Sequence, residues 1–277
     1  MSIATATLRG SGRTNQDTAV VTDHAMAVLD GATSWLPQET GRDGGWYSRM
    51  LGARLAQGLD SDTPLVELLA EAIAGVCGDF GLVPGNAPES TVTIARWTAE
   101  EIEILVLCDS PAVIYQRGLD PIVILDDRLQ TTGASARAAY HEHLRAGGGY
   151  GRELDRLLGQ LQRDELALQN RPGGYWSASA TPEAAEHALT ERYSLRDVEH
   201  LILLTDGASA AVDDYRRPAD WSAALEDIRR AGPGQFLESV HILEETDPNG
   251  FRWPRAKRHD DKALALLHPL VTSAAVR

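Results

Sequence analysis

Three apolar segments near the middle of the chain are separated by only a few polar residues. They cover residues 90–97, 102–107 and 112–117, and a fourth short run follows at 122–125. A crossover between parallel strands needs about a dozen residues or more, and none of these gaps is that long. We therefore predict an antiparallel meander in this region, which excludes a strictly alternating β-α fold.

The remaining apolar patterns form groups of strands and groups of helices. Short apolar runs predict further strands at 3–8, 18–22, 25–29, 201–204 and 263–267. A helical period predicts helices over 40–59, 64–80, 126–169, 221–230 and 235–244. Because strands and helices segregate, the sequence predicts an α+β fold of antiparallel sheets covered by helices. No linker of distinct composition interrupts the chain, so we expect one domain over residues 1–277.

The charge balance narrows the range of partners. The 277 residues include 40 acidic and 26 basic side chains, which gives a net charge of −14. Such a surface repels a phosphate backbone, so we expect no nucleic-acid partner. No apolar run reaches the roughly 18 residues of a membrane span, and the first ten residues lack a signal-peptide pattern. Cys77 and Cys108 lie in apolar runs and are expected to be reduced thiols, so we predict a cytoplasmic protein with no membrane partner.

Aspartates adjoin the apolar strands at several places. They are Asp17, Asp30, Asp109, Asp206 and the pair Asp260-Asp261. Each Asp-Gly pair alone is more typical of a plain turn, because glycine accepts positive φ and aspartate bonds its own backbone. Carboxylates that converge from several strands repel one another unless a cation neutralises them. An all-oxygen set of this kind suits Mg²⁺ or Mn²⁺ better than zinc.

The order of these segments resembles the metal-dependent serine/threonine protein phosphatases of type 2C, the PPM family, over roughly residues 5–267. The family's Arg-x-x-Asn-Glu-Asp and Asp-Gly-x-Gly-Gly motifs are similar to Arg13-Thr14-Asn15-Gln16-Asp17 and Asp30-Gly31-Ala32-Thr33-Ser34. Its Ser-Thr, Gly-Asp-Ser-Arg, Thr-Asp-Gly and Asp-Asn motifs are similar to Ser90-Thr91, Cys108-Asp109-Ser110-Pro111, Thr205-Asp206-Gly207 and Asp260-Asp261.

The resemblance implies a four-layer αββα sandwich of two antiparallel sheets flanked by helices, with a variable flap at about 127–175. It also implies a site for two Mn²⁺ or Mg²⁺ ions. Asp30 would bridge both ions, and the Gly31 carbonyl would bind one of them. Asp206 and Asp260 would complete the metal shells, and Asp17 would hold a metal-bound water.

Two further positions follow from the same resemblance. Asp109 stands where some members of the family bind a third ion. Arg13 corresponds to the phosphate-binding arginine, although it lies one residue closer to the aspartate, and Arg9 is a rival for that role. The implied catalytic set is therefore Asp30, Asp206, Asp260 and Arg13.

The sequence also departs from the family pattern. Gln16 replaces an acidic residue of the first motif, and Ala32-Thr33-Ser34 replaces two glycines of the second. The primary hypothesis is a metal-dependent phosphomonoester hydrolase that acts on phosphoserine and phosphothreonine in proteins. Two alternatives stay open: a degenerate phosphatase fold that serves as a regulatory or binding module, and a phosphatase for a small phosphorylated metabolite.

Overall fold

The computed structural model describes residues 1–36 and 41–268. Its strands are β1 Ser2–Leu8, β2 Asp17–Val21, β3 Ala25–Asp30, β4 Val92–Trp97, β5 Glu101–Leu107, β6 Ala112–Gln116, β7 Ile122–Ile124, β8 Leu189–Ser194, β9 Val198–Leu204 and β10 Lys262–His268. Its helices are α1 Gly44–Leu55, α2 Leu65–Phe80, α3 Arg128–Thr131, α4 Ala134–Arg145, α5 Arg152–Leu166, α6 Asp206–Asp213, α7 Trp221–Ala231 and α8 Pro233–Glu245. None of the helices in these ranges has the length and hydrophobicity needed to span a membrane.

The strands form two five-stranded antiparallel sheets. One sheet has the order β1-β10-β9-β6-β7, and the other has the order β2-β3-β4-β5-β8. In β3 five consecutive residues are buried because both faces of the strand are covered. Ala27 and Leu29 pack with α1 and α2, whereas Met26 and Val28 pack against the other sheet. Helices α6 to α8 cover the outer face of the first sheet, so the predicted αββα sandwich is confirmed.

The predicted meander is correct only in its first half. Strands β4 and β5 pair with each other, but β6 pairs with β9 and β7 in the other sheet. The chain changes sheets between Leu107 and Ala112, where Cys108 adopts a φ of +68°. Spacing alone could not reveal this change, because a short connection can join strands of the same sheet or of two stacked sheets.

Other differences concern the ends and the number of elements. The helix predicted over 40–59 begins at Gly44 and ends at Leu55, and residue 40 lies outside the described residues. The helical region 126–169 consists of three helices, α3 to α5. Strand β8 and helix α6 were not predicted, whereas strands β2 and β3, which form a hairpin, and the short strand β7 were predicted as strands.

Candidate metal centre

The ends of strands from both sheets meet at one cleft. In the second sheet, Asp17 at the start of β2 pairs with Asp30 at the end of β3. In the first sheet, β9 ends at Leu204 beside the start of β10, since Leu204 pairs with Leu264. Asp206 and Asp260 adjoin these two strand ends. The fold therefore brings together aspartates that are up to 243 positions apart in the chain.

The cleft holds a cavity of about 200 Å³ between the sheet ends and the flap helices α4 and α5. Four of the predicted site residues line it: Asp30, Asp109, Asp206 and Asp260. The flap side contributes apolar and charged groups that the sequence did not single out as site residues, among them Arg137, Tyr140, Leu158, Leu161 and Glu165. The cavity thus has acidic side chains at its floor, and both apolar and charged side chains on the side of the flap.

Asp17 is buried without a hydrogen-bond partner. The residue is 6% exposed, and neither Oδ atom accepts a hydrogen bond from any residue that the structure describes. Burial raises the pKa of Asp17 well above its usual value; the nearby Thr205 hydroxyl offsets part of this, and the charges of Asp260 and Asp206 raise it further. A buried carboxylate without a donor is costly, and a bound cation would remove that cost.

The pKa values of two neighbouring carboxylates, Asp30 and Asp109, are raised as well. Burial and the charges of Asp17 and Asp206 raise the pKa of Asp30 well above its usual value. Burial, together with the charge of Asp206, raises the pKa of Asp109 to about 7. Close carboxylates disfavour one another's ionised form, and divalent cations reverse that preference. The donor set therefore fits hard, oxygen-liganded cations such as Mg²⁺ or Mn²⁺.

A lysine side chain lies among these aspartates. Lys257 Nζ is 2.5 Å from Asp260 Oδ1, and the Lys257 side chain is 17% exposed. Burial lowers the pKa of Lys257, but the charges of Asp260, Asp30 and Asp206 outweigh this effect and raise it above its usual value. Sequence reasoning missed this residue, because nothing in the pattern around position 257 relates it to the distant strand ends.

The segment that carries Lys257 and Asp260 is held by buried polar side chains. Asp247 accepts hydrogen bonds from the backbone N–H groups of Phe251, Arg252 and Trp253. Nearer the cleft, Lys262 Nζ donates to the Asp260 carbonyl at 2.8 Å. These contacts fix an irregular segment that would otherwise have no ladder of hydrogen bonds to hold it.

Asp261 has a different surrounding from Asp260. Its carboxylate accepts hydrogen bonds from the backbone N–H of Gly10 at 2.8 Å and of Gln16 at 3.1 Å. It therefore joins the last motif to the first and does not line the cleft. The Gln16 side chain is also engaged, since its Oε1 accepts a hydrogen bond from the Thr33 hydroxyl at 2.5 Å.

The Ser-Thr motif supports Asp30 from the neighbouring strand. The backbone N–H of Asp30 donates to Thr91 Oγ1 at 3.1 Å, and Thr91 Oγ1 lies 2.6 Å from Ser110 Oγ. Ser110 follows directly after Asp109, so one hydroxyl pair links the two aspartate-bearing segments. Cys108 holds a left-handed conformation at the position where the family motif has glycine, which is a strained choice for a residue with a Cβ.

The structure places the remaining predicted site residues as follows. Gly31 packs tightly against the start of α1, where a Cβ would lie 2.3 Å from the Gly44 carbonyl carbon. Arg13 and Arg9 are both exposed, and neither lines the cavity. The roles assigned to the Gly31 carbonyl and to Arg13 stay predictions.

A second group of metal-ligand-type side chains lies outside the lining of this cavity. Among the described residues, His241, Glu244 and His259 form the one group of three such residues whose ligand atoms all lie within 4.8 Å of one another. Glu244 in this group is already paired with Lys262 Nζ at 3.0 Å and with His259 Nδ1 at 2.9 Å. The aspartates of the cleft are spread more widely around its floor.

The two sheets, the flanking helices and the position of the cleft define the fold of the PPM serine/threonine phosphatases. The crystal structure of the phosphatase MsPP from Mycobacterium smegmatis, in complex with cacodylate, matches 97% of this chain and 98% of its own with a TM-score of 0.53 and 17% identity. The phosphatase PstP/Ppp from Mycobacterium tuberculosis matches 96% of this chain and 97% of its own with a TM-score of 0.55 and 18% identity. The catalytic domain of PstP in complex with two manganese ions matches 96% of each chain with a TM-score of 0.54 and 17% identity.

Comparison of the amino-acid sequence with known proteins does not detect this structural similarity. No protein-family model matches it, and no curated protein matches it either. At identities of 17–18% the solved structures establish the shared fold, and the chemistry has to be argued from the residues of this chain.

Proposed function

We propose that this chain is a metal-dependent phosphomonoester hydrolase that acts on phosphoserine and phosphothreonine side chains of proteins. Two Mn²⁺ or Mg²⁺ ions would be held by Asp30, the Gly31 carbonyl, Asp206 and Asp260, and Asp17 would hold a metal-bound water. The observation that carries this proposal is the buried, unpartnered carboxylate of Asp17 at the point where the strand-end aspartates of two sheets meet. A structural neighbour that holds two manganese ions in the same fold supports it.

The residues of the chain have distinct tasks in this proposal. Asp30 lies on a buried strand whose backbone is fixed by Thr91, so its carboxylate keeps one orientation. Asp206 and Asp260 adjoin strands of the other sheet and supply further negative charge to the same cavity. Bound divalent ions would supply Lewis-acid activation of a water molecule for attack on phosphorus. Asp109 lines the same cavity and supplies a further carboxylate to it.

The cleft also has a cationic group for an anionic substrate. Arg137 lines the cavity on the flap side, where it pairs with Glu165. Apolar flap residues such as Leu158 and Leu161 face the same space, which suits a phosphorylated side chain flanked by peptide. On these grounds we favour a phosphorylated protein over a small phosphorylated metabolite. We also propose a cytoplasmic location, without a nucleic-acid or membrane partner, in line with the net charge of −14.

Two observations favour a second candidate, a regulatory module that has lost catalysis. The Lys257 ammonium already pairs with Asp260, so part of the acidic cluster is neutralised without any metal ion. The exposed position of Arg13 also leaves the expected phosphate-binding arginine outside the cavity. A module of this kind would bind phosphoproteins or a partner without turning them over.

A titration of hydrolysis against metal separates the two candidates. The purified protein, stripped with a chelator, is assayed on p-nitrophenyl phosphate and on a phosphothreonine peptide while Mn²⁺ is added. The enzyme hypothesis predicts turnover that depends on Mn²⁺ or Mg²⁺ and is poorly restored by Ca²⁺, which prefers longer bonds and more ligands. Absence of turnover at saturating Mn²⁺ would favour the regulatory module, and turnover that survives chelation would contradict the two-metal site.

A further inference from the structure

The two lysines of this chain are placed unusually. The sequence contains 26 basic residues, of which 24 are arginines and only two, Lys257 and Lys262, are lysines. Both belong to the segment that carries Asp260. Lys262 is fully buried and paired with Glu244, whereas Lys257 lies in the cleft.

The choice of lysine at position 257 matters for the cleft. An ammonium group is a compact point charge on a flexible stem, whereas a guanidinium is a broad planar group. The Lys257 ammonium therefore fits among carboxylates in the way a metal ion does. It contacts Asp260 Oδ1 at 2.5 Å and lies within the electrostatic reach of Asp30 and Asp206, and all three aspartates belong to the proposed two-ion site.

We propose that Lys257 is an internal counter-ion that occupies part of the metal centre in the metal-free protein and must leave Asp260 when a divalent cation binds. This inference rests on the proposed function, because it assumes that the aspartates bind metal. It explains how the acidic cluster stays folded before loading, since the ammonium offsets repulsion among carboxylates that have few other donors. It also implies that metal binding is weaker than the same aspartates would allow without the lysine.

The cleft offers space for this exchange. Lys257 lines the main cavity and also a neighbouring pocket beside Gln16, Thr33 and Tyr150. The flexible side chain can therefore move from the aspartates toward that pocket without unfolding the segment that carries it. Its backbone stays tied by the contacts of Asp247 and Lys262 on either side.

The test compares Lys257→Gln and Lys257→Arg with the matched control Arg258→Gln, which removes one positive charge from an exposed position of the same segment. Mn²⁺ binding is measured by calorimetry on chelator-stripped protein, and the metal-free melting temperature is measured on the same samples. We expect Lys257→Gln to bind Mn²⁺ on the order of 10-fold more tightly, because a competing charge is gone. We also expect its metal-free melting temperature to fall by about 3 °C. Lys257→Arg keeps the charge but not the compact shape, so its Mn²⁺ affinity and melting temperature should fall between those of Lys257→Gln and the parent. Arg258→Gln should stay close to the parent protein.

A second measurement works on the parent protein and needs no variant. Acetylation of the two lysines is followed by mass spectrometry with and without Mn²⁺. The exchange predicts that Lys257 becomes about fivefold or more reactive when Mn²⁺ is bound, since a side chain released from its ion pair is more accessible to the reagent than a paired one. Lys262, fully buried, is the internal control and should stay unreactive in both states.

The outcomes separate this inference from the proposed function. If the parent binds Mn²⁺ but Lys257→Gln binds it equally or more weakly, and Lys257 reactivity does not change, the counter-ion proposal is wrong while the metal site stands. If neither the parent nor Lys257→Gln binds Mn²⁺, the proposed function fails and the exchange fails with it. If Lys257→Gln binds Mn²⁺ and the parent does not, the exchange is supported, because the lysine then excludes the ion completely from the parent's site.

Discussion

Asp17 and Asp30 are direct register partners in the pairing of β2 with β3, the first residue of one strand opposite the last residue of the other. Antiparallel pairing therefore fixes both carboxylates at the same end of one sheet, close to the end of β9 in the other sheet. Side chains placed by strand ends are held more rigidly than side chains placed by loops. This relationship explains why an acidic cluster forms here without help from the variable flap.

The contact between Gly31 and the start of α1 gives the first prediction. A Cβ at position 31 would lie 2.3 Å from the carbonyl carbon and oxygen of Gly44, and both are backbone atoms that cannot swing aside. We expect Gly31→Ala to lower the free energy of unfolding by about 2–3 kcal/mol, because α1 must shift to make room. Urea unfolding of the metal-free protein measures this.

Gly78→Ala is the matched control for that substitution. Gly78 is a helical residue of α2, and a Cβ there would meet nothing within 4 Å. It should leave the free energy of unfolding unchanged or raise it by about 0.5–1 kcal/mol, since alanine favours helix over glycine. Equal effects of the two substitutions would show that the approach of Gly31 to Gly44 is not tight.

The buried pair of Glu244 and Lys262 gives the second prediction. Both side chains are fully buried, and Glu244 also accepts a hydrogen bond from the Tyr215 hydroxyl at 3.2 Å. Glu244→Gln leaves the Lys262 ammonium buried without a counter-charge, so we expect a loss of about 3 kcal/mol in the free energy of unfolding. Glu245→Gln, at an exposed position next along the helix, should change it by about 0.5 kcal/mol or less. A small effect of Glu244→Gln would mean that water reaches Lys262.

A histidine pair between β9 and β10 gives a prediction about pH. His200 Nδ1 and His268 Nδ1 are 3.0 Å apart, so only one of them can carry the proton between them. Burial, with the charges of His268 and Arg229, lowers the pKa of His200 to about 4. Because the folded-state pKa lies below that of the unfolded chain, about 6.5, protonation favours unfolding. The stability from neutral His200 is complete above about pH 6.5 and is lost as the pH falls toward 4.

The experiment compares His200→Gln with the parent protein at pH 7.5 and pH 5. The parent should lose about 1 kcal/mol more of its free energy of unfolding over this interval than the variant does, a value reduced for the partial exposure of the pair. His24→Gln, at an exposed position, should behave like the parent. If His200→Gln shows the same pH dependence as the parent, the pair does not control acid stability.

The sequence was most informative where burial is continuous. The run from Ala25 to Leu29 is apolar because both faces of β3 are covered, and its prediction as a strand is confirmed. Strand β8 was missed because it lies at the edge of its sheet and five of its six residues are exposed, so it has no apolar pattern. The change of sheet after Leu107 was missed because it depends on the packing of two sheets and not on any local preference.

In the candidate site, too, residues beside a local apolar pattern could be predicted, and residues placed by tertiary packing could not. The aspartates could be found because each adjoins an apolar strand, and strand ends meet at predictable edges. Lys257 could not be found, because its segment has no periodic pattern and reaches the cleft only through contacts such as that of Lys262 with the Asp260 carbonyl. The exposed position of Arg13 likewise depends on the path of a loop, which a motif does not specify.

The most direct test of the account is the Mn²⁺-dependent turnover of Asp30→Asn, measured with its metal-free melting temperature. A neutral amide cannot serve two dications as a carboxylate does, so turnover should fall by about 1,000-fold or more even at high Mn²⁺. The metal-free melting temperature should not fall, because the change removes repulsion with Asp17 and Asp206. Full turnover in Asp30→Asn, or equal activity with and without Mn²⁺ in the parent, would contradict the proposal that these strand-end aspartates form a catalytic metal centre.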